Sequence, residues 1–203
     1  MVYISQPTEL GTIYSLAELE ALSEVCRRWK LPLFADGARL GYALAAPSAD
    51  FTLADMARLC DIFYIGGTKV GALMGEAVVV PRGEQIPHFT TLIKQQGALL
   101  AKGWLLGVQF ATLFTDNLYL DIAHNAVRQA ERLSRALVEK GCELVSPTLS
   151  NQIFLRLSPV QLEHLSAITT FSTWEQHADC TIVRLATSWA TTDEQIDELI
   201  HAL

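Results

Sequence analysis

Apolar and polar positions along this chain follow first one period and then another, and each change marks an element. Met1-Val2-Tyr3-Ile4-Ser5 reads as a strand. A polar turn region follows, and Ser15-x-x-Glu18 forms a capping box. Leu16, Leu19, Leu22, Val25, Cys26 and Trp29 then keep helical spacing to about Lys30. Pro32-Leu33-Phe34-Ala35 is the next strand, ending at Asp36. A short helix over 40–45 is broken by Pro47-Ser48-Ala49-Asp50, and Thr52 caps another through Leu59. Residues 61–65 read as a buried strand running into Gly66-Gly67, and 76–80 as a strand ending at the Pro81-Arg82-Gly83 turn. Strands alternating with helices predict an α/β layer with at least part of its sheet parallel.

Beyond residue 89 the pattern becomes helical. A helix and loop surround Lys94-Gln95-Gln96-Gly97, an apolar helix covers 103–114, and Asp116-Asn117 interrupts it. A long amphipathic helix spans about 119–140, with Gly141 at its C-terminal cap. Short strands follow at 142–145, 152–157, 171–176 and 181–186, with a helix at 160–168 and a last one from Thr191 or Thr192 to Leu203. The expected division is residues 1–117, part of a large α/β domain, and 118–203, a linker helix with a small α+β domain.

Composition narrows the function classes. Half of the 203 residues are hydrophobic, enough for one sizeable core and a smaller one. The formal charge is −7 and the basic residues are scattered, so neither nucleic acid nor an anionic membrane is an expected partner. Cys26, Cys60, Cys142 and Cys180 show no CxxC or Cys/His ligand spacing, which predicts reduced thiols, no metal site and a cytoplasmic setting. No apolar run approaches a membrane span.

Two strand ends carry the candidate chemistry. Functional groups in open α/β sheets gather beyond the carboxyl ends of the strands, where both Asp36 and Lys69 are expected. Desolvation there favours the neutral amine of Lys69, the form that attacks a carbonyl carbon. Pyridoxal phosphate uses such a pair: an amine for its aldehyde, and a carboxylate that keeps its ring nitrogen protonated. The alternatives are structural. Asp36 caps the helix beginning near Gly37, Arg39 pairs with Asp36 or Asp50, Arg184 is a surface charge on an edge strand, and Thr68 merely starts a turn.

Phe34-Ala35-Asp36-Gly37-Ala38-Arg39-Leu40, then Gly66-Gly67-Thr68-Lys69, then Val183-Arg184-Leu185-Ala186-Thr187-Ser188-Trp189, together resemble the threonine aldolase family. Its members are fold-type I pyridoxal-phosphate enzymes related to the β-eliminating lyases. The resemblance implies Lys69 as the Schiff-base lysine, Asp36 as partner of the pyridine nitrogen, Arg184 as the grip on the substrate α-carboxylate, and Arg39 close to both cofactor and substrate. Thr68 and Lys102 are cofactor-phosphate candidates, Lys102 standing where the family has an arginine that reaches a neighbouring subunit. The implied reaction is retro-aldol cleavage of L-threonine or another β-hydroxy-α-amino acid to glycine and an aldehyde, in a homodimer or homotetramer. Another β-eliminating lyase and an inactive chain of the same fold are the alternatives.

The sequence departs from the family in three ways. The family's glycine/serine-rich phosphate loop and ring-stacking residue lie in a part for which this chain has no counterpart, so weak cofactor binding is expected of these residues alone. Gln6-Pro7-Thr8-Glu9 differs from the Thr-His-Asn type of segment. No histidine is assignable as the base for the substrate hydroxyl; His88, His124, His164, His177 and His201 are read as structural.

Overall fold

A computed structural model describes residues 1–83 and 86–203. Its first sheet has the order β1 (Val2–Ser5), β2 (Leu33–Asp36), β3 (Ile62–Gly66) and β4 (Glu76–Val79). The first three strands are parallel and β4 closes the edge antiparallel. Parallel neighbours need crossovers, and helices supply them: α1 (Leu16–Arg28) joins β1 to β2, while α2 (Leu40–Leu44) and α3 (Leu53–Leu59) join β2 to β3. Three parallel strands therefore end on the same side, which brings Ser5, Asp36 and Gly66 to one rim.

Local signals start the helices where they were expected. Ser15 and Thr52 each form a reciprocal capping box, with Glu18 and Asp55, at the starts of α1 and α3. Ser158 and Thr192 do the same for α7 (Pro159–Ile168) and α8 (Asp193–Ala202). Each such cap is worth about 1 kcal/mol. α4 (Phe89–Gln95) and α5 (Trp104–Leu113) follow β4. Asp116 and Asn117 both adopt left-handed backbone (φ 49° and 63°), a conformation these short polar side chains tolerate, and this turns the chain into the long helix α6 (Leu118–Glu139). Gly141 sits just past its end at φ 85°.

The second sheet is wholly antiparallel, in the order β5 (Glu143–Leu144), β6 (Gln152–Leu157), β8 (Thr181–Ala186), β7 (Ser172–Gln176). β8 is thus an interior strand, and the edge-strand reading of Arg184 is wrong. Two apolar cores lie along α6. Tyr119, Ala123 and Val127 pack into the core under the first sheet; Ala130, Leu133 and Leu137 pack under the second. One helix with a continuous apolar stripe serves both. No helix among the described residues is long and apolar enough to cross a membrane.

Candidate active site

A cleft of about 290 Å³ opens at the rim of the first sheet, lined by Ser5, Glu9, Asp36, Arg39, Tyr64, Lys69 and Arg184 among others. Four of the six residues singled out from the sequence, Asp36, Arg39, Lys69 and Arg184, meet here from three separated stretches of chain. The other two do not line it. Thr68 is exposed and reaches Glu76 Oε1 at 3.3 Å. Lys102 lies in an exposed turn between α4 and α5.

Backbone packing sets Asp36 beside Lys69. The turn after β2 and the turn after β3 are hydrogen-bonded to each other, Gly66 N donating to Gly37 O at 2.8 Å. A Cβ on Gly37 would stand 1.9 Å from Tyr64 O, and one on Gly66 would stand 2.1 Å from Ala38 O. Only glycine permits that approach. The lysine turn is then held from below. Glu76 Oε2 accepts from Gly67 N at 2.6 Å, Val70 N and Ala72 N both donate to Gly67 O, and the buried Tyr42 donates its hydroxyl to Lys69 O. Tyr119 of α6 donates to Gly66 O at 2.9 Å and accepts from Gly41 N at 3.1 Å.

Asp36 does not cap α2. Its Oδ1 accepts from Ala38 N at 2.9 Å, and the residue at the helix cap is Arg39, whose side chain makes no capping bond. The Tyr3 hydroxyl donates to Oδ2. Burial pushes the Asp36 carboxyl up, but the Tyr3 and Tyr64 hydroxyls, the Ala38 N–H and the charge of Lys69 outweigh it. The group is held below the ordinary aspartate value and is ionised at neutral pH. Lys69 is more open to solvent than the sequence suggested. Its partial burial, and next the charge of Arg39, still hold its amine below the ordinary lysine value, against Asp36, Glu76 and Glu9.

The arginines are the most informative groups. Among the described residues neither Arg39 nor Arg184 forms an ion pair, and Asp50, offered above as a partner for Arg39, accepts from Leu16 N instead. Burial, and next the neighbouring charge of Arg184, hold the Arg39 guanidinium below its usual range. Arg184 is braced on three sides: Nη1 donates to Gln152 Oε1 at 3.3 Å, Nη2 lies 3.5 Å from Ser172 Oγ, and its Cζ sits 5.5 Å over the Trp174 ring. Its Nε is buried without a partner, as is Nε2 of Gln152. Unpaired buried donors cost about 1–3 kcal/mol each. Two guanidiniums lining one cleft without a carboxylate partner make a seat for a carboxylate, which takes bidentate hydrogen bonds from arginine.

Tyr3, Tyr64, Gln152 and Trp174 escaped notice in the sequence because each acts through a cross-strand neighbour. Glu9 was accessible: it lies in the turn beyond the carboxyl end of β1, by the same rule that picked out Asp36. Larger clefts exist, one of about 560 Å³ between β8 and α8, but its walls are apolar and neutral apart from Glu198. The five histidines all lie outside the cleft; His177 pairs with Glu175 and His201 with Asp197 O. Among the described residues no group of three or more His, Cys, Asp or Glu is arranged to hold a metal.

Comparison with known proteins adds to this geometry. The family model for the beta-eliminating lyases matches residues 1–159. The low specificity L-threonine aldolase of Pseudomonas aeruginosa is 31% identical over 201 residues, which are 98% of this chain and 57% of that protein. The chain spans about half the length of the curated relatives it matches. The structure of Leishmania major threonine aldolase superimposes with a TM-score of 0.95 and 43% identity, covering 98% of this chain and 59% of that one. Serine palmitoyltransferase of Sphingomonas wittichii shares the fold alone, with a TM-score of 0.71 at 16% identity over 99% of this chain and 53% of that one.

Proposed function

We propose that this chain, which belongs to the beta-eliminating lyase family, carries the lysine, ring-nitrogen carboxylate and substrate-carboxylate arginines of a pyridoxal-phosphate lyase. Its substrate is L-threonine or a similar β-hydroxy-α-amino acid, and its products are glycine and an aldehyde. The fold is that of the fold-type I pyridoxal-phosphate enzymes. The observation that carries the reading is the convergence of Asp36, Arg39, Lys69 and Arg184 on one cleft.

The residues present fit the cofactor. An ionised carboxylate and an amine of lowered basicity stand together, which suits a ligand with a protonated ring nitrogen at one end and an aldehyde at the other. When bound, pyridoxal phosphate supplies that aldehyde and a cationic ring able to take up the electron pair of a broken bond. Asp36, ionised in the cleft, would hold a proton on the ring nitrogen. Lys69 would supply the amine that anchors the cofactor through its aldehyde. Arg184, with Arg39 beside it, would take the substrate carboxylate and so orient the amino acid in the cleft. The reaction balances as amino acid in, glycine and aldehyde out.

The expected partner is a second copy of the chain, in a homodimer or homotetramer. Leu73, Met74, Trp104, Leu105 and Val108 are exposed on and near α5, and a paired copy would cover them. Lys102 lies two residues before Trp104, beside this surface, so its contribution to a cofactor phosphate belongs to the assembly.

The test is an absorbance titration of the purified chain with pyridoxal phosphate. A yellow band that is lost in Lys69→Ala, and a borohydride-reduced adduct on the peptide containing residue 69, are the expected results. A folded chain that gives no band and no adduct at Lys69 would overturn the assignment. Product analysis with threonine against an amino acid carrying a β-leaving group then separates aldol cleavage from β-elimination.

A further inference from the structure

Resting on that assignment, we infer that Tyr3 and Tyr64 are positioning residues: two phenols, from the strands on either side of β2, that grip the Asp36 carboxylate and set it for a ligand bearing a protonated aromatic nitrogen. The parallel register puts Tyr3 opposite Phe34, one alternation before Asp36 on the same face of the sheet. The Tyr3 ring stacks on Phe34 with centroids 5.4 Å apart and planes 10° from parallel, and the Tyr64 ring tilts against the other side of Phe34 at 6.0 Å. Phe34 is therefore a spacer held between the two phenol rings, two residues from Asp36 on the same face of β2, and Tyr3 donates to Oδ2.

The phenols act as donors, not as acid–base groups. The hydrogen bond to Asp36 raises the Tyr3 phenol, and burial followed by the same carboxylate raises Tyr64, so both remain protonated throughout the physiological range. A carboxylate offers about four lone-pair positions. Ala38 N–H takes one on Oδ1 and the Tyr3 phenol one on Oδ2; the Tyr64 phenol favours the charged carboxylate from the other flank, and a position remains for a ring N–H. A carboxylate so held neither rotates away nor takes up a proton when the cleft is empty. The other charged groups facing this cluster are Lys69 and Arg39 from the turns, Glu9 from the loop after β1, and Glu76 from β4.

The experiment is carbon-13 NMR titration of the aspartate carboxyls in the chain without cofactor, for wild type, Tyr3→Phe, Tyr64→Phe and the double variant, with circular dichroism to verify the fold. Each single change is expected to move Asp36 to higher pKa, and the double change to move it further. In Asp36→Asn, the ionisation of two tyrosines followed by ultraviolet absorbance should shift to lower pH. With cofactor, the phenylalanine variants should lose affinity toward acid pH more steeply than wild type. An Asp36 titration unmoved by both substitutions would overturn the inference. If the cofactor binds while that titration stays put, the clamp is wrong and the proposed function stands. If the wild-type chain takes up no cofactor, the function is wrong, and the titration still decides the clamp.

Discussion

The cleft is assembled from two halves that hold their residues by different means. On the rim of the first sheet, Asp36 and Lys69 sit on turns locked backbone to backbone, Gly37 against Gly66, with no space for a side chain between them. In the second sheet, Arg184 projects from an interior strand and owes its position to side chains: Gln152 from β6, Ser172 and Trp174 from β7. The locked turns leave no room for a Cβ at either glycine. A side-chain brace is softer and is assembled only after the sheet has its register. The difference suits the roles proposed above. The residues assigned to the cofactor have one geometry to satisfy, whereas the substrate grip has to accept and release a carboxylate.

The sharpest way to break this comparison is to fill the space between the turns. Gly66→Ala places a Cβ about two ångströms from Ala38 O, and the backbone on both sides has to give way. The expected cost is about 3 kcal/mol, measured as a lower urea midpoint, together with loss of cofactor uptake. Gly107→Ala is the control. It lies within α5 with nothing within 4 Å of the new methyl, and should add about 0.5–1 kcal/mol. Equal effects from the two substitutions would show that the turns are not interlocked.

The same division explains what the sequence disclosed. Asp36-Gly37 and Gly66-Gly67-Thr68-Lys69 are local strings whose glycines report a backbone constraint, and the capping residues Ser15, Thr52 and Thr192 are likewise local. They were legible. The contacts Tyr3 to Asp36 and Gln152 to Arg184 join residues 33 and 32 positions apart. They exist only because β1 runs parallel to β2 in one register and β6 antiparallel to β8 in another. No periodicity in a single strand encodes the register of its neighbour. Lys69 was placed correctly but expected deeper, since an apolar strand before a residue says little about what covers that residue afterwards.

Removing a guanidinium should have the opposite sign from filling a turn. Arg39 is disfavoured in the fold by its own burial and by Arg184, and has no ion pair to lose among the described residues. Its charged form is less welcome folded than unfolded, so discarding the charge favours the folded state. Arg39→Met is expected to raise stability by about 0.5–1 kcal/mol while weakening the hold on an amino-acid carboxylate. A thermal scan reads the first effect, and the substrate concentration at half-maximal turnover the second. A clear loss of stability would mean that Arg39 is structural and that the carboxylate seat is smaller than proposed.

A finer contrast pairs Asp36 with a carboxylate outside the cleft. Asp36 is held below the ordinary aspartate value against the pull of its burial, chiefly by phenol and backbone donors. Asp193, at the start of α8, is lowered first by its hydrogen bond to Arg128 and next by the buried Gln129, with Arg132 also on its Oδ1 at 2.7 Å, and its ion pairs with both arginines are open to solvent. Both groups have depressed folded values. Each therefore contributes stability that is fully present above the unfolded aspartate value of about 3.9 and is lost as pH falls through the lower folded value. Salt separates them. Exposed ion pairs are screened within a few ångströms at molar ionic strength, whereas hydrogen bonds from neutral donors are affected far less. Urea unfolding from pH 7 to pH 2 should show that Asp193→Asn removes part of the acid-side loss in dilute buffer and almost none in 1 M salt. Asp36→Asn should remove its part in both. If the Asp36 contribution also vanished in salt, Lys69 rather than the two phenols would be what keeps that carboxylate charged.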